Sequence, residues 1–268
     1  MISVIMGVYN GEKTVAKAID SILGNTYQDL ELIIVDDGST DNTYAVLRSA
    51  AKTDNRVKVL QTETNRGLAH ALNTALGVAN GEWIARQDAD DVSHPDRLQK
   101  QIDYLKAHPE IAFTGGAVNL VDGRGNVWGI RKYPQNVSKE TVLKYNPFVH
   151  PTLLLRREAM ETVNGYRDLP MTTRCEDYDL IFRLYAAKMY GGNLQDIIMD
   201  YLEERDTAFR HNFRTRYNEY RVRAYGNKLL GGGIKGNILA LKPLALLFVG
   251  GKLYNTLHNR KWKKDKTD

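Results

Sequence analysis

The segment Gly81-Glu82-Trp83-Ile84-Ala85-Arg86-Gln87-Asp88-Ala89-Asp90-Asp91 says more about the fold than any other part of the sequence. Its first half reads as a short buried strand, and three carboxylates then follow within four positions. Like charges this close together raise each other's pKa and repel, so such a cluster usually persists where a cation binds. Carboxylate oxygens are hard ligands, which favours magnesium or manganese. Taken alone, the same motif is also explained by an acidic turn exposed to solvent.

The sequence on both sides of this segment alternates between strand and helix patterns. The predicted strands are residues 2–8, 30–35, 57–60, 83–86 and 111–115, and the predicted helices are residues 13–23, 43–51, 67–79 and 96–107. Strands that alternate with helices of this length predict βαβ units and a mainly parallel sheet flanked by helices. In such an α/β fold, ligands bind beyond the carboxyl ends of the strands.

Polar side chains follow three of these strands at that edge. Tyr9 and Asn10 follow the first strand, residues 36–41 (Asp-Asp-Gly-Ser-Thr-Asp) follow the second, and residues 88–91 follow the fourth. Each motif alone is also a good turn or helix cap. A turn alone does not predict that all three motifs meet at one edge of the sheet, so they indicate a ligand site.

The second half of the chain carries weaker patterns. Residues 116–150 read as irregular, with a hairpin turn at residues 122–126. A short helix is predicted over residues 157–163. Another helix begins near residues 175–180, with acidic side chains in its first turn, where the helix dipole favours them.

Composition restricts the class of protein. The 268 residues contain 43% hydrophobic and 26% charged side chains, as in ordinary soluble domains. The single cysteine, Cys175, excludes an intramolecular disulfide and fits a reducing compartment. The N-terminus lacks the basic region of a signal peptide, and no run of 18 apolar residues occurs. We therefore expect a cytoplasmic protein.

Charge is distributed unevenly along the chain. Residues 205–268 contain 15 basic and 4 acidic side chains (net +11), whereas residues 1–204 contain 22 and 28 (net −6). Within the basic part, residues 238–249 are largely apolar, and residues 260–266 combine Lys and Arg with Trp262. This pattern suits a helical segment lying on the inner face of an anionic membrane. The alternative is a C-terminal helix packed on the body of the protein.

Taken together, the motifs resemble those of the inverting nucleotide-sugar glycosyltransferases of family 2, which have the Rossmann-like GT-A fold. The matching segments are residues 2–10, 35–41, 65–69, 81–98 and 176–180. Each motif is weak alone, but the five occur in the expected order over about residues 1–200. The forms Arg-x-Asp-Ala-Asp-Asp and His-Pro-Thr are similar to those of bacterial enzymes that extend surface polysaccharides.

The resemblance implies a role for each motif. Tyr9 and Asp37 would hold the nucleotide base, with the Asp37 carboxylate accepting an imide N–H of uracil or thymine. Asp90 would bind a divalent metal, Mn²⁺ or Mg²⁺, which bridges the diphosphate of a UDP-linked donor. The implied nucleotide-sugar site comprises Val8, Tyr9, Asp37, Arg66, Asp88 and Ala89.

By the same resemblance, Asp177 would take the proton from the acceptor hydroxyl, and a single displacement would invert the anomeric configuration. Glu176 and Asp177 could equally cap their helix. Arg86 is a candidate phosphate partner or a structural ion pair with Asp88 or Asp91. His150 is a candidate pocket residue or a buried structural histidine. His211, with Arg210, is a candidate contact of the diphosphate.

The implied activity is the transfer of one sugar per encounter to a hydroxyl of a glycan or of a polyprenyl-diphosphate-linked acceptor. Processive members of the family carry a Gln-x-x-Arg-Trp motif and spanning helices, which this sequence lacks. The predicted organisation is a GT-A catalytic domain over residues 1–204 and a basic helical extension over residues 205–268. The nucleotide-binding half would cover about residues 1–115 and the acceptor half about residues 116–204.

Other functions fit less well. A nucleotidyltransferase needs a glycine-rich phosphate loop with Arg and Lys after the first strand, and a dinucleotide dehydrogenase needs Gly-x-Gly-x-x-Gly there; neither is present. A pI of 9.1 suggests a nucleic-acid-binding protein as another possibility. The apolar residues within the basic tail favour a membrane instead, so no nucleic-acid partner is expected. An inactive GT-A scaffold that binds nucleic acid or membrane is the remaining alternative. Such a scaffold would not be expected to keep both Asp90 and Asp177.

Overall fold

The structure, a computed structural model, describes residues 1–206 and 212–263. The strands are β1 (Ile2–Val8), β2 (Leu30–Asp36), β3 (Val57–Gln61), β4 (Trp83–Arg86), β5 (Val92–Ser93), β6 (Phe113–Val121), β7 (Val127–Arg131), β8 (Leu154–Arg156) and β9 (Gly191–Leu202). The helices are α1 (Val15–Leu23), α2 (Thr43–Thr53), α3 (Leu68–Leu76), α4 (Arg97–Ala107), α5 (Lys139–Lys144), α6 (Arg157–Thr162), α7 (Glu176–Ala186), α8 (Phe213–Leu230), α9 (Gly233–Ala240), α10 (Lys242–Ala245) and α11 (Gly251–Trp262). Short 3-10 helices cover His150–Thr152 and Leu246–Phe248.

One continuous sheet runs through the described chain in the order β3-β2-β1-β4-β8-β6-β9-β5, with β7 paired to β6. The strands β3, β2, β1 and β4 are parallel to their neighbours, which confirms the predicted βαβ architecture. Beyond β4 the sheet becomes mixed, because β8 is antiparallel to both β4 and β6, whereas β6 and β9 are parallel. The carboxyl ends of β1, β2 and β4 therefore share one edge.

Alternating side chains along the central strands bury both faces of the sheet. In β1, Val4 and Met6 pack in a core with α1, α2 and α4. Ile5, between them, belongs to the core on the opposite face, together with residues of α3, α6 and α7. Burial on both faces explains why the parallel strands read as uninterrupted apolar runs in the sequence.

The expectation that residues 116–150 are irregular was wrong. β6 continues to Val121, β7 pairs with it, and α5 follows. Gly115 and Gly116 hid the strand because glycines interrupt the alternation of side chains; a Cβ at Gly116 would lie 2.4 Å from Ile198 of β9. The predicted hairpin turn is confirmed, and the Asp122 N–H donates to the Asn126 carbonyl at 3.1 Å.

The C-terminal helices pack on the sheet and on α7. Gly226 of α8 lies against Phe182, and Val222 belongs to the same core as α7. Trp262 of α11 is buried on β6 and β7 with Val118. The division of the chain at residue 204 stays a prediction. Within the described residues, every helix is too short or too polar to cross a membrane.

Arg97 connects three elements beneath the edge of the sheet where β1, β2 and β4 end. Its fully buried guanidinium donates to the Gln87 side chain at 2.7 Å, to the Arg86 carbonyl at 2.7 Å and to the Pro151 carbonyl at 2.9 Å. Its Nε donates to the Gln101 side chain at 3.0 Å. Burial lowers the pKa of Arg97 to about 9, which still leaves the group charged at neutral pH. A single side chain thus holds the end of β4, the start of α4 and the turn at Pro151 in place.

We expect Arg97→Ala to lower the free energy of unfolding by about 3–5 kcal/mol, because it leaves several buried acceptors without a donor. Arg97→Lys should recover part of this loss, since an ammonium restores the charge without the planar set of donors. Urea denaturation followed by circular dichroism measures both values. Lys100→Ala, on the exposed face of the same helix, is the control and should cost less than about 1 kcal/mol. Equal costs for Arg97→Ala and Lys100→Ala would contradict this role.

Candidate active site

The loops after β1 and β2 are joined by hydrogen bonds that hold Tyr9 at the edge of the sheet. The Asn10 N–H donates to Ser39 Oγ at 2.9 Å, and the Thr40 N–H donates to Asn10 Oδ1 at 2.9 Å. The Gly11 N–H donates to Thr43 Oγ1 at 2.8 Å. Tyr9 itself is 47% exposed, so its ring is available to a ligand at this edge.

Asp37 is buried and organises the neighbouring loop. Its carboxylate accepts the N–H groups of Arg66 at 3.0 Å and Gly67 at 2.7 Å, and the Thr62 hydroxyl at 3.1 Å. Its own N–H donates to the carbonyl of Val8 at 2.8 Å, which links the buried end of β1 to this loop. The described contacts therefore give Asp37 a structural function, and an imide N–H would be a further donor to the same carboxylate.

The three carboxylates that follow β4 converge. One oxygen from each of Asp88, Asp90 and Asp91 lies within 4.8 Å of the others. Asp91 is buried, and its Oδ1 accepts the Leu202 N–H at 2.9 Å while its Oδ2 is buried without a hydrogen-bond partner. Burial, together with Asp88 and Asp90, raises the pKa of Asp91. A divalent cation fits this set, because it would supply a partner for the orphaned oxygen and offset the repulsion.

Arg86 brings a positive charge against this cluster. Its side chain is 2% exposed, and Nη2 forms an ion pair with Asp88. Burial alone would lower the pKa of Arg86, but Asp88 holds it above its ordinary value. Nε and Nη1 are buried without a hydrogen-bond partner. The structural ion pair, one of the two roles that the sequence left open, is therefore present, and Nε and Nη1 of the same guanidinium still have unused N–H groups.

A cavity of about 560 Å³ joins the residues predicted from distant motifs. Its walls include Arg86, Asp88, His150, Glu176 and Asp177. Ala89 is half-buried and packs against the core beside it. The structure thus brings the end of β4 and the start of α7 together around one space.

Glu176 and Asp177 occupy the first turn of α7 on the wall of this cavity. The Asn146 side-chain amide donates to Asp177 Oδ2 at 2.8 Å. Burial raises the pKa of Asp177, and burial together with the Asp177 charge raises the pKa of Glu176 to about 7. Two neighbouring carboxyls whose pKa values are raised by burial are suited to proton transfer near neutral pH.

The contacts of His150 fit both roles that the sequence left open, a pocket residue and a buried structural histidine. It lines the cavity, but its Nε2 is also 2.8 Å from the Tyr166 hydroxyl. Burial and the nearby Arg86 charge lower the pKa of His150 well below its usual value, so the ring is neutral.

The side chain of Arg66 is exposed and lines a different cavity. His211 and Arg210 lie outside the described residues.

The sequence did not separate Asp91 from the two neighbouring carboxylates, and it did not identify Asn146. Asp91 belongs to the acidic run, but only its burial and its bond to Leu202 separate it from Asp88 and Asp90. Asn146 lies in a stretch read as irregular and reaches Asp177 from 31 positions away. No local pattern identifies such a contact.

Comparison with known proteins agrees with this geometry. The profile of glycosyl transferase family 2 matches residues 3–163. A putative glycosyltransferase of Bacillus subtilis, EpsE, is 36% identical over 97% of this chain and 94% of its own. The chain belongs to glycosyl transferase family 2. The Escherichia coli O-antigen biosynthesis glycosyltransferase WbnJ is 36% identical to this family 2 glycosyltransferase, over 75% of this chain and 79% of its own.

Solved structures support the GT-A fold of this glycosyltransferase. S. aureus TarS in complex with UDP-GlcNAc has a TM-score of 0.70 and 19% identity, covering 96% of this chain and 79% of its own. The mannosyltransferase PcManGT of Pyrobaculum calidifontis, in complex with GDP-Man and Mn²⁺, has a TM-score of 0.68 and 20% identity. That alignment covers 97% of this chain and 78% of PcManGT.

The raised pKa of Glu176 predicts how stability depends on pH. Because the pKa rises from 4.5 to about 7 on folding, the folded state holds this proton more tightly than the unfolded state. The resulting stabilisation is present below the unfolded pKa and is lost as the pH rises through about 7. Glu176→Gln removes this dependence. The free energy of unfolding of the variant, measured relative to that of the wild type, should therefore be higher at about pH 8 than at about pH 5.

Urea unfolding at the two pH values measures the effect. Glu63→Gln replaces an exposed carboxylate on a loop and serves as the control for the loss of a carboxylate. If Glu176→Gln shifts stability equally at both pH values, Glu176 titrates normally and the assignment is wrong.

Proposed function

We propose that this chain is a non-processive inverting glycosyltransferase that uses a UDP-linked sugar and a divalent metal ion, with Asp177 as general base. The observation that carries the proposal is the single cavity that contains Arg86, Asp88, Glu176 and Asp177. At one end lie groups suited to a metal diphosphate, and at the other lies a carboxylate suited to deprotonating a hydroxyl. A sugar between them would be flanked by its leaving group and by the base.

Asp88, Asp90 and Asp91 would hold Mn²⁺ or Mg²⁺. When bound, such an ion neutralises the negative charge of the diphosphate leaving group. The unused N–H groups of Arg86 are placed to donate to an anionic or polar group in the same cavity. Arg86 is buried in a low-dielectric environment, so its charge acts more strongly there than it would in water.

Asp177 would accept the proton of the acceptor hydroxyl as the hydroxyl oxygen bonds to the anomeric carbon. The bond between that carbon and the phosphate oxygen breaks on the opposite side, and its electron pair leaves with the nucleoside diphosphate. One displacement of this kind inverts the anomeric centre. The Asn146 amide, which donates to Asp177 Oδ2, orients the carboxylate and favours its ionised form.

Val8, Tyr9, Asp37 and Ala89 would surround the nucleotide. The exposed Tyr9 ring offers a surface for stacking a base. The UDP-GlcNAc complex of TarS, which has the same fold, supports a UDP-linked donor. The names of WbnJ and of the amylovoran biosynthesis glycosyltransferase AmsE of Erwinia amylovora support a role in polysaccharide biosynthesis. The acceptor would be a glycan or a polyprenyl-diphosphate-linked sugar.

A donor screen tests the reaction. Purified protein is incubated with UDP-, dTDP- and GDP-sugars, with Mn²⁺, Mg²⁺ or EDTA, and the released nucleoside diphosphate is measured. We expect metal-dependent release from one donor. Asp90→Ala should abolish release and weaken metal-dependent UDP binding. Asp177→Asn should keep UDP binding but lower release about a hundred- to ten-thousand-fold, because it removes the base.

Asp103→Asn, on the exposed face of α4, is the matched control for both variants and should behave as wild type. Release that is insensitive to EDTA would contradict the metal site. Release unchanged in Asp177→Asn would contradict the base. If UDP does not bind in the presence of metal, the chain is an inactive scaffold, which was the alternative considered from sequence.

We also propose that the C-terminal segment contacts the inner face of an anionic membrane. Ile234 and Ile238, one turn apart on α9, are 81% and 65% exposed, and Leu241 continues the same face at 49%. Lys235 and Lys242 are exposed between and beside them. An apolar stripe with neighbouring lysines matches the interface of anionic lipids. The packing of Trp262 on β6 and β7 shows that α11 also has the alternative, structural role.

Vesicle flotation tests this surface without removing α11. Wild type should bind vesicles of phosphatidylcholine with phosphatidylglycerol more than vesicles of phosphatidylcholine alone. The double variant Ile234→Asp, Ile238→Asp should lose this binding. The control is the double variant Val78→Asp, Val127→Asp, which adds the same two negative charges at other exposed apolar residues. It should still bind the vesicles. Equal binding by both double variants would contradict the proposal.

A further inference from the structure

A second cavity, of about 610 Å³, lies beside the proposed active site and is lined by three arginines. Arg66, Arg174 and Arg214 come from the loop before α3, the loop before α7 and the first turn of α8. Within residues 1–206 and 212–263, none of the three side chains has an ion pair or a hydrogen bond. Three unpaired guanidinium groups around one cavity indicate a site for an anion.

This cavity is separate from the carboxylate cluster. Asp88, Asp90 and Asp91 do not line it, and it meets the cavity of Asp177 at Leu68, Arg174 and Glu176. Two acidic groups, Asp168 and Glu176, also line it, and Asp168 lies 3.6 Å from His70. An anion held here would therefore lie next to the base but away from the proposed metal diphosphate.

The backbone at Arg174 is held in an uncommon conformation. Its φ of +62° lies in the left-handed region, which costs about 1–3 kcal/mol for a residue other than glycine. Asn218 of α8 restrains the loop by donating to the carbonyls of Pro170 at 3.1 Å and Thr173 at 3.3 Å. The constraint projects Arg174 into the junction of the two cavities. Strain that the surrounding structure maintains at such a junction is typical of a functional position.

Two exposed apolar side chains lie on the segments that carry the arginines. Leu169 lines the cavity and is 43% exposed. Phe213, next to Arg214, is 68% exposed and stacks on Tyr217 with ring centroids 6.0 Å apart. Phosphate-binding groups beside exposed apolar side chains match an amphipathic ester, with an anionic head and an apolar chain.

We propose that Arg66, Arg174 and Arg214 form a second anion site, which binds the phosphate groups of an acceptor whose apolar chain leaves along Leu169 and Phe213. The inference rests on the proposed function, in which the donor diphosphate lies at the carboxylate cluster. The acceptor sugar would then enter the cavity of Asp177 while its phosphates are held by the arginines. The site thus selects acceptors that carry phosphate and an apolar chain.

Direct binding tests the site without knowledge of the acceptor sugar. With UDP and excess Mg²⁺ saturating the donor site, farnesyl diphosphate is titrated by calorimetry. Wild type should bind it, and Arg214→Ala and Arg174→Ala should each weaken binding by about tenfold or more, as for a lost charged hydrogen bond. Arg221→Ala removes an identical exposed charge one heptad along α8, outside the cavity lining, and should bind as wild type. UDP affinity should be unchanged in Arg214→Ala.

The outcomes separate this inference from the proposed function. No binding of farnesyl diphosphate while UDP and metal still bind overturns the second site alone. Equal weakening by Arg214→Ala and Arg221→Ala also overturns it, because that would be a general effect of charge. Failure of UDP to bind with metal overturns the proposed donor site instead. Inorganic pyrophosphate that binds as tightly as farnesyl diphosphate, with the same dependence on Arg214, would contradict the part of the proposal that concerns the apolar chain.

Discussion

The hydrogen bonds of the buried Arg97 guanidinium hold together the edge of the sheet where the candidate site lies. The guanidinium binds the backbone of Arg86 and Pro151 and the side chains of Gln87 and Gln101, so that the strand before the carboxylates and the turn after His150 keep one relative position. These segments are more than 50 residues apart in the sequence. Planar donors are required, because one group must satisfy acceptors in several directions at once. The geometry of the cavity follows from this connection.

Charge compensation is the second constraint. Three negative charges at Asp88, Asp90 and Asp91 repel one another, and the repulsion is most costly at Asp91, which is buried. Arg86, paired with Asp88, and Arg97, beneath the same loop, offset part of that charge from the protein side. The compensation is incomplete, since one buried oxygen of Asp91 has no hydrogen-bond partner. A site of this kind is arranged to gain stability when a cation binds to it.

The first half of the fold could be predicted because its signals are local. Residues 2–8 and 83–86 are predicted and observed as β1 and β4 with the same bounds, since strands buried on both faces are uninterrupted apolar runs. The second half depends on contacts between distant segments. β6 contains two glycines that interrupt the pattern, and a Cβ at either position would clash with Asn193 or Ile198 of the neighbouring strand β9. A constraint of that origin is not visible within one strand.

The same distinction applies to the site. The carboxylates after β4 and those at the start of α7 could be named from motifs, whereas Asn146 and Arg174 could not, because their contributions depend on where α7 and α8 pack. The C-terminal helices also contact residues around the site. His258 of α11 lies 2.8 Å from Glu203, which also pairs with Arg131 on the wall of the Asp177 cavity. Helices beyond the segment matched by the family profile therefore support the wall of the Asp177 cavity.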